Sequence, residues 1–143
     1  MKTLATQTMI LILGLVCTSA VNVPTFAQSK SSVWDGVYSE EQAKRGVTVY
    51  QEACAACHGV DLRGDSNSPS LIGVSFMFLW EDRSLGELLT KIRTEMPPAN
   101  PNSLPNESYV DILAYVMQVN SFPAGKDQLE PGKYHQILIT GKP

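Results

Sequence analysis

Apolar side chains recur every three to four residues in three stretches of the chain, residues 39–54, 84–94 and 106–120. This spacing places them on one face of an α-helix, so each stretch is predicted to be an amphipathic helix. No stretch alternates apolar and polar residues over the length of a half-buried strand. The pattern therefore predicts an all-α fold of three main helices joined by loops. The apolar or small positions on these faces are Ala43, Gly46, Val47, Tyr50, Cys54, Leu85, Leu88, Leu89, Ile92, Tyr109, Ile112, Leu113 and Val116.

Capping residues mark where these helices begin. Ser39 with Gln42, and Ser84 with Glu87, have the spacing of a capping box, in which each side chain accepts from the other residue's backbone N–H. Pro105 suits the first turn of the third helix, because a proline's missing N–H is not needed there.

The N-terminus has the layout of a secretory signal peptide. Lys2 is followed by an apolar run at residues 9–16 and then by small and polar residues. The run is shorter than the roughly 20 apolar residues that a bilayer-crossing helix needs. We predict a signal peptide in residues 1–27, cleaved after Ala27 or, alternatively, after Ala20. The mature chain is then expected in the periplasm, with no transmembrane span.

The rest of the chain is long enough for one domain. We predict this domain in residues 28–125, followed by a C-terminal tail in residues 126–143 that is extended or partly disordered. Residues 137–139, Ile-Leu-Ile, either dock as a short extended piece or fray. The net charge of −3 argues against a basic surface for nucleic acid. Removal of the signal takes Cys17 and leaves two cysteines.

Those two cysteines belong to the sequence Cys54-Ala55-Ala56-Cys57-His58. C-x-x-C-H is the attachment motif of c-type haem. Two thiols at this spacing can add to the two vinyl groups of one haem, and the adjacent histidine is then held beneath the iron. The motif predicts one covalent haem c, with thioethers at Cys54 and Cys57 and with His58 as an axial ligand of the iron.

Three other interpretations of the cysteines remain. A thioredoxin-like redox pair is expected in a βαβ context, and no such pattern is visible. A structural zinc site needs four ligands, and His135 is the one histidine left to join the motif's three. A plain disulfide in an exported protein is the third.

The second axial ligand is predicted to be Met96. A residue before proline is pushed to extended backbone, so Met96, followed by Pro97, should project from a loop just after a helix. Met77 and Met117 lie in apolar surroundings that favour core packing. His135 is the alternative ligand, although it lies in a tail with little periodicity.

Together these features resemble a small class I bacterial cytochrome c over residues 40–125. Gly46 and Tyr50 are similar to the family's first-helix pattern, in which the glycine lets the last helix approach closely, and residues 112–115 resemble the matching face of that last helix. The resemblance implies a cytochrome c-like fold wrapped around one haem. The tail departs from the family pattern.

The resemblance also implies roles in the haem site. Pro69 matches a family proline whose carbonyl receives the Nδ1–H of the proximal histidine, here His58, which would orient the ring and raise its basicity. Leu71 matches an apolar residue that packs on haem. Met96-Pro97 matches the family's distal-ligand motif.

The function implied is single-electron transfer without catalysis, between a dehydrogenase and a respiratory acceptor. Residues 120–125, with Tyr115 before them, are similar to cytochromes that accompany quinoprotein dehydrogenases, which suggests such a donor and a terminal oxidase or another cytochrome as acceptor. Two alternatives stay open: a subunit of a stable dehydrogenase complex, and an open-site haem sensor or peroxidase if Met96 does not bind iron. The apolar cluster at residues 76–80 is either core or a docking surface.

Overall fold

The structure is a computed structural model that describes residues 31–143. The predicted signal peptide and both cleavage positions, Ala27 and Ala20, lie outside the described residues. Five helices follow one another along the described chain: α1 (Glu40–Ala53), α2 (Ala55–His58), α3 (Gly73–Trp80), α4 (Leu85–Glu95) and α5 (Asn106–Val119). Two short strands, β1 (Ser31–Ser32) and β2 (Ile137–Leu138), and two 3-10 turns, Val33–Asp35 and Tyr134–Gln136, complete the described part.

The all-α fold class is confirmed. The three predicted helices are α1, α4 and α5, and their bounds differ from the predicted ones by one residue at most. Helix α3 was not predicted, because its sequence Gly-Val-Ser-Phe-Met-Phe-Leu-Trp is apolar on every side and shows no 3.6-residue period. Within residues 31–143, no helix has the length and apolar character needed to cross a membrane.

Helices α1 and α5 cross at Gly46. A Cβ added there would lie 2.0 Å from the backbone oxygen of Asp111, so only glycine permits this approach, as the resemblance implied. One turn along, the rings of Tyr50 and Tyr115 meet edge to face at 5.4 Å. Arg45 donates two hydrogen bonds of 2.8 Å to the buried Asp111 carboxylate, and this raises the pKa of the guanidinium further. The crossing fixes the end of α1 that leads into the cysteine motif.

The predicted helix caps are realised to different degrees. Ser84 and Glu87 form a reciprocal capping box. Ser39 accepts from the Gln42 N–H at 3.2 Å, but the Gln42 side chain does not return the bond. It is buried and pairs with both backbone groups of Leu129 instead, so the capping box predicted there is only half formed. Pro105 is the residue that precedes α5 and not part of its first turn.

The C-terminal tail packs on the core. Strand β2 pairs in parallel with β1, and Ile137 and Ile139 are buried. Ile139 also exchanges backbone hydrogen bonds of 2.8 Å with Asp82 and Arg83, just before α4 begins. Residues 137–139 therefore dock as an extended piece, one of the two outcomes that the sequence left open.

Helix α3 divides the apolar cluster between core and surface. Phe76 and Trp80 are buried, whereas Phe78 is 87% and Val74 is 88% exposed. The core interpretation of residues 76–80 is therefore confirmed for Phe76 and Trp80, and the docking-surface interpretation stays a prediction for the exposed residues.

Candidate haem site

A cavity of about 610 Å³ opens between the cysteine motif, α3 and α4. Its volume lies in the range of small-molecule and cofactor sites. Its walls are mainly apolar and include Phe76, Trp80 and Ile112. All six residues that the sequence predicted to hold the cofactor line this cavity: Cys54, Cys57, His58, Pro69, Leu71 and Met96.

The cysteine motif lies at the junction of two helices. Cys54 ends α1, its N–H donating to the Tyr50 carbonyl at 2.9 Å, and α2 then carries Cys57 and His58. The hydroxyl of Tyr50 donates at 2.6 Å to the Gly59 carbonyl and so ties α1 to the end of the motif. Burial raises the pKa of this hydroxyl, which keeps it a donor. The junction turns both cysteines and the histidine towards one space.

The state of the two thiols argues against a redox pair. Cys54 and Cys57 are free and not joined by a disulfide. Burial, and secondly the neighbouring Cys57, raise the pKa of the Cys54 thiol to about 11. A dithiol of the thioredoxin type depends on a depressed pKa that supplies thiolate near neutral pH. The raised pKa disfavours Cys54 as a thiolate nucleophile near neutral pH.

His58 is oriented by a single hydrogen bond. Its Nδ1 lies 3.0 Å from the Pro69 carbonyl oxygen. A carbonyl oxygen only accepts, so Nδ1 is the protonated nitrogen and Nε2 keeps the lone pair that can bind a metal. This is the contact that the resemblance implied. The ring is largely buried, at 9% exposure.

The loop that carries Pro69 is itself closely packed. The Asp65 carboxylate accepts from the N–H groups of Asn67 and Ser68 at 2.7 and 3.0 Å, which closes the turn. A Cβ at Gly64, whose φ is +66°, would lie 2.1 Å from the Ser68 carbonyl oxygen. The Pro69 carbonyl is thus positioned by a turn that only this glycine allows.

Met96 follows the last turn of α4. Its backbone is extended, with φ −125° and ψ 144°, as the following proline predicted. Its N–H donates to the Ile92 carbonyl at 3.0 Å. Met117 is fully buried in the core and Met77 is half-buried against it, and neither lines the cavity. Among residues 31–143, Met96 is therefore the one methionine in the cavity wall.

A zinc site finds no support in the structure. No group of three or more His, Cys, Asp or Glu side chains in residues 31–143 is arranged to hold a metal ion. Two thiols, one oriented imidazole and one thioether around an apolar cavity are instead the donor set that a covalent haem requires. The residues present fit this group.

Trp80, Arg83 and His135 are among the cavity residues that were not predicted from the sequence to hold the cofactor. The guanidinium of Arg83 lies over the Trp80 ring, 4.5 Å from its centroid. His135 was considered as an alternative iron ligand and as a fourth zinc ligand, and it reaches the cavity through the docking of the tail. No spacing in the sequence indicates these three, because tertiary packing alone brings them to the wall.

Comparison with known proteins gives two matches. Residues 41–116, more than half of the chain, match the family model described as cytochrome c oxidase, cbb3-type, subunit III. The chain is also 29% identical over 80 residues to the cbb3-type cytochrome c oxidase subunit CcoP of Azospirillum brasilense. That match covers 52% of this chain but only 27% of the relative, so the chain spans about a quarter of it. No solved structure matches significantly.

The family match coincides with the site. It begins in α1, contains the cysteine motif, the Pro69 loop and Met96, and ends in α5. Membership implies covalently bound haem c with its iron, and it indicates a role in electron transfer. The chain therefore belongs to the cbb3-type subunit III family of cytochrome c domains and is a class I c-type cytochrome.

Proposed function

We propose that this protein is a periplasmic single-electron carrier whose haem c is tethered by Cys54 and Cys57 and ligated by His58 and Met96. The observation that carries the proposal is the convergence of both thiols, the His58 ring and the Met96 side chain on one apolar cavity. When bound, haem c supplies a ferric/ferrous couple that exchanges one electron at a time.

Each residue has a separate task in this proposal. The two cysteines fix the cofactor in position. The Pro69 carbonyl holds the His58 ring through Nδ1 and increases the basicity of Nε2, as second partners of metal-bound histidines do. Met96 supplies a thioether, a ligand that raises the reduction potential of a haem.

The proposal favours a carrier over a catalyst. If His58 and Met96 both bind the iron, the protein itself would supply the ligands that a substrate would have to replace. An open-site sensor or peroxidase would need Met96 away from the iron.

The proposed partners are redox proteins. The relative in Azospirillum brasilense is named as a subunit of a cbb3-type cytochrome c oxidase, which supports a terminal oxidase, or a cytochrome serving one, as electron acceptor. The proposed donor is a dehydrogenase of the quinoprotein class, in view of Tyr115 and residues 120–125. Export through residues 1–27 would place the carrier in the periplasm.

Visible and near-infrared spectra of the purified haem protein test the ligand set. We expect a c-type spectrum and, in the ferric state, the weak near-infrared band of sulfur-ligated iron. Met96→Ala should abolish this band, whereas Met77→Ala, which removes a methionine outside the cavity wall, should retain it. The proposal fails if the wild-type protein lacks the band and its reduced form binds carbon monoxide readily, which would indicate an open iron.

A further inference from the structure

Residues 126–143 lie outside the region that matches the family model. They nevertheless pack against the part of the molecule that carries the haem cavity. The backbone of Ile139 exchanges hydrogen bonds with Asp82 and Arg83, and Trp34 Nε1 donates to the Thr140 carbonyl at 2.9 Å. These bonds fix the tail directly against the start of α4. The turn Tyr134–Gln136 immediately precedes this anchored stretch.

His135, in the middle of that turn, lies on Gly86 of α4. A Cβ at position 86 would lie 2.1 Å from His135 Nδ1, so the ring occupies the space that any other residue at position 86 would fill. The same ring lines the cavity that holds the cysteine motif and Met96. The tail thus contributes an imidazole to the cavity wall, and the glycine makes room for it.

The place of His135 along α4 separates it from the iron ligands. Gly86 and Met96 are ten residues apart, which corresponds to about 15 Å along a helix. An iron ligand must reach the centre of the porphyrin, as Met96 is proposed to do. A ring beside Gly86 would therefore meet the edge of a bound haem and not its centre, and the carboxylates are the groups at a haem edge that would accept a hydrogen bond.

Three basic side chains line the cavity, Arg83, Lys91 and His135. Arg83 donates through Nε to Glu87 at 3.2 Å and stacks on Trp80, and Lys91 is paired with Glu95, so each is engaged in part and keeps further N–H donors. His135 is exposed, and its ring makes no hydrogen bond within residues 31–143, so its N–H is free to donate.

We propose that His135 donates a hydrogen bond to a haem carboxylate, and that the C-terminal tail thereby raises the reduction potential. This inference rests on the haem site of the proposed function. A carboxylate near the iron favours the ferric state through its negative charge, and a hydrogen bond from a side chain offsets part of that charge. Loss of the donor should therefore lower the potential.

The test compares His135→Ala with His135→Gln, which retains an N–H donor, and with Gln136→Ala, an exposed neighbour in the same turn. The midpoint potential of each haem-loaded protein is measured by redox titration at neutral pH. We expect His135→Ala to reduce the equilibrium constant for reduction about threefold, as loss of part of one hydrogen bond implies. His135→Gln should recover most of this loss, and Gln136→Ala should match the wild type.

A second readout is independent of the potential. Resonance Raman spectra of the reduced proteins report the bending mode of the haem carboxylates, which should shift in His135→Ala and return towards the wild-type position in His135→Gln. Equal potentials and equal Raman modes in wild type and His135→Ala would overturn the inference. A loss in potential that His135→Gln does not recover would also overturn it, since packing alone would then be responsible.

The two proposals fail in different ways. The near-infrared sulfur band of the wild-type protein is recorded first and tests the Met96 ligation. If His135→Ala removes that band, then His135 acts on the iron and not on a carboxylate, and the inference is wrong. If the band persists in every variant, then the potentials and Raman modes judge His135 alone.

Discussion

At the scale of single residues, the site depends on backbone carbonyl groups as much as on side chains. His58 is oriented by the carbonyl oxygen of Pro69, and that carbonyl is held by a turn around Asp65 and Gly64. The thiol of Cys54 lies in surroundings that disfavour its ionised form. The side chains proposed to bind the cofactor are thus positioned by the backbone and packing around them.

Glu87 gives α4 a stability that depends on pH. Its carboxylate accepts hydrogen bonds from the Ser84 backbone and from Arg83, and these lower its pKa below the ordinary value of 4.5. A carboxyl group whose pKa is lowered by folding stabilises the native state above its unfolded pKa, and the contribution is lost as pH falls through the folded value.

We therefore expect Glu87→Gln to be less stable than wild type at neutral pH and the difference to shrink below pH 4.5. Urea denaturation followed by circular dichroism across this range measures the effect. Glu52→Gln, at an exposed position on α1, is the control. A Glu87→Gln deficit that stays constant in acid would show that the carboxylate's charge is not responsible.

At the scale of elements, the crossing of α1 and α5 and the course of α4 position the two proposed iron ligands. Helix α1 leads directly into Cys54 and His58, and its place is set by contact with α5 at Gly46. Helix α4 ends at Glu95 and leads directly into Met96, which lines the same cavity. A shift of either helix would change the distance between His58 and Met96.

Gly46→Ala should disturb this crossing. A methyl group 2.0 Å from the Asp111 carbonyl oxygen forces the two helices apart. Overpacking of this kind costs about 3 kcal/mol of unfolding free energy. Chemical denaturation of the haem-loaded variant measures this cost. Thr48→Ala, at an exposed position on the same helix, should remain within about 0.5 kcal/mol of wild type. Equal stability of Gly46→Ala and wild type would contradict the expected clash.

The elements also show what local pattern can and cannot predict. Helices α1 and α4 each bury one face, and the apolar residues of the more deeply buried α5 recur at the same spacing, so the period of all three was visible in the sequence. Helix α3 has apolar residues on both its buried and its exposed side, so its sequence has no period that identifies the buried face. The cysteine motif is recognised by its residue types, and Met96 by the proline that follows it. Both could therefore be predicted from the sequence.

Long-range partners were not predictable in this way. Gln42 has the spacing of a capping residue, but its amide is matched by a backbone segment 87 positions away, and nothing local distinguishes these two uses. His135 reaches the cavity because Gly86 leaves room for it, a fit between distant segments. Such contacts follow from the folded arrangement and not from periodicity.

At the scale of the whole molecule, the C-terminal tail packs against the first described segment of the chain and against the part of the molecule that carries the haem cavity. Gln42 binds Leu129 at one end of the tail, and β1 and Trp34 hold residues 137–140 at the other. Between these anchors lie the turn Tyr134–Gln136 and His135. If both anchors are needed to hold the tail against the core, then weakening one should loosen the tail while the rest of the core remains folded.

Gln42→Ala tests this arrangement. It leaves the buried N–H and carbonyl of Leu129 without their side-chain partners, which costs about 2 kcal/mol. We expect faster hydrogen exchange at Leu129 and Ile139, with exchange in the α1–α5 crossing accelerated less. Lys44→Ala, at an exposed position on α1, is the matched control. Uniform acceleration throughout the protein would mean that the tail unfolds only with the core, and His135 would then be held as firmly as the helices themselves.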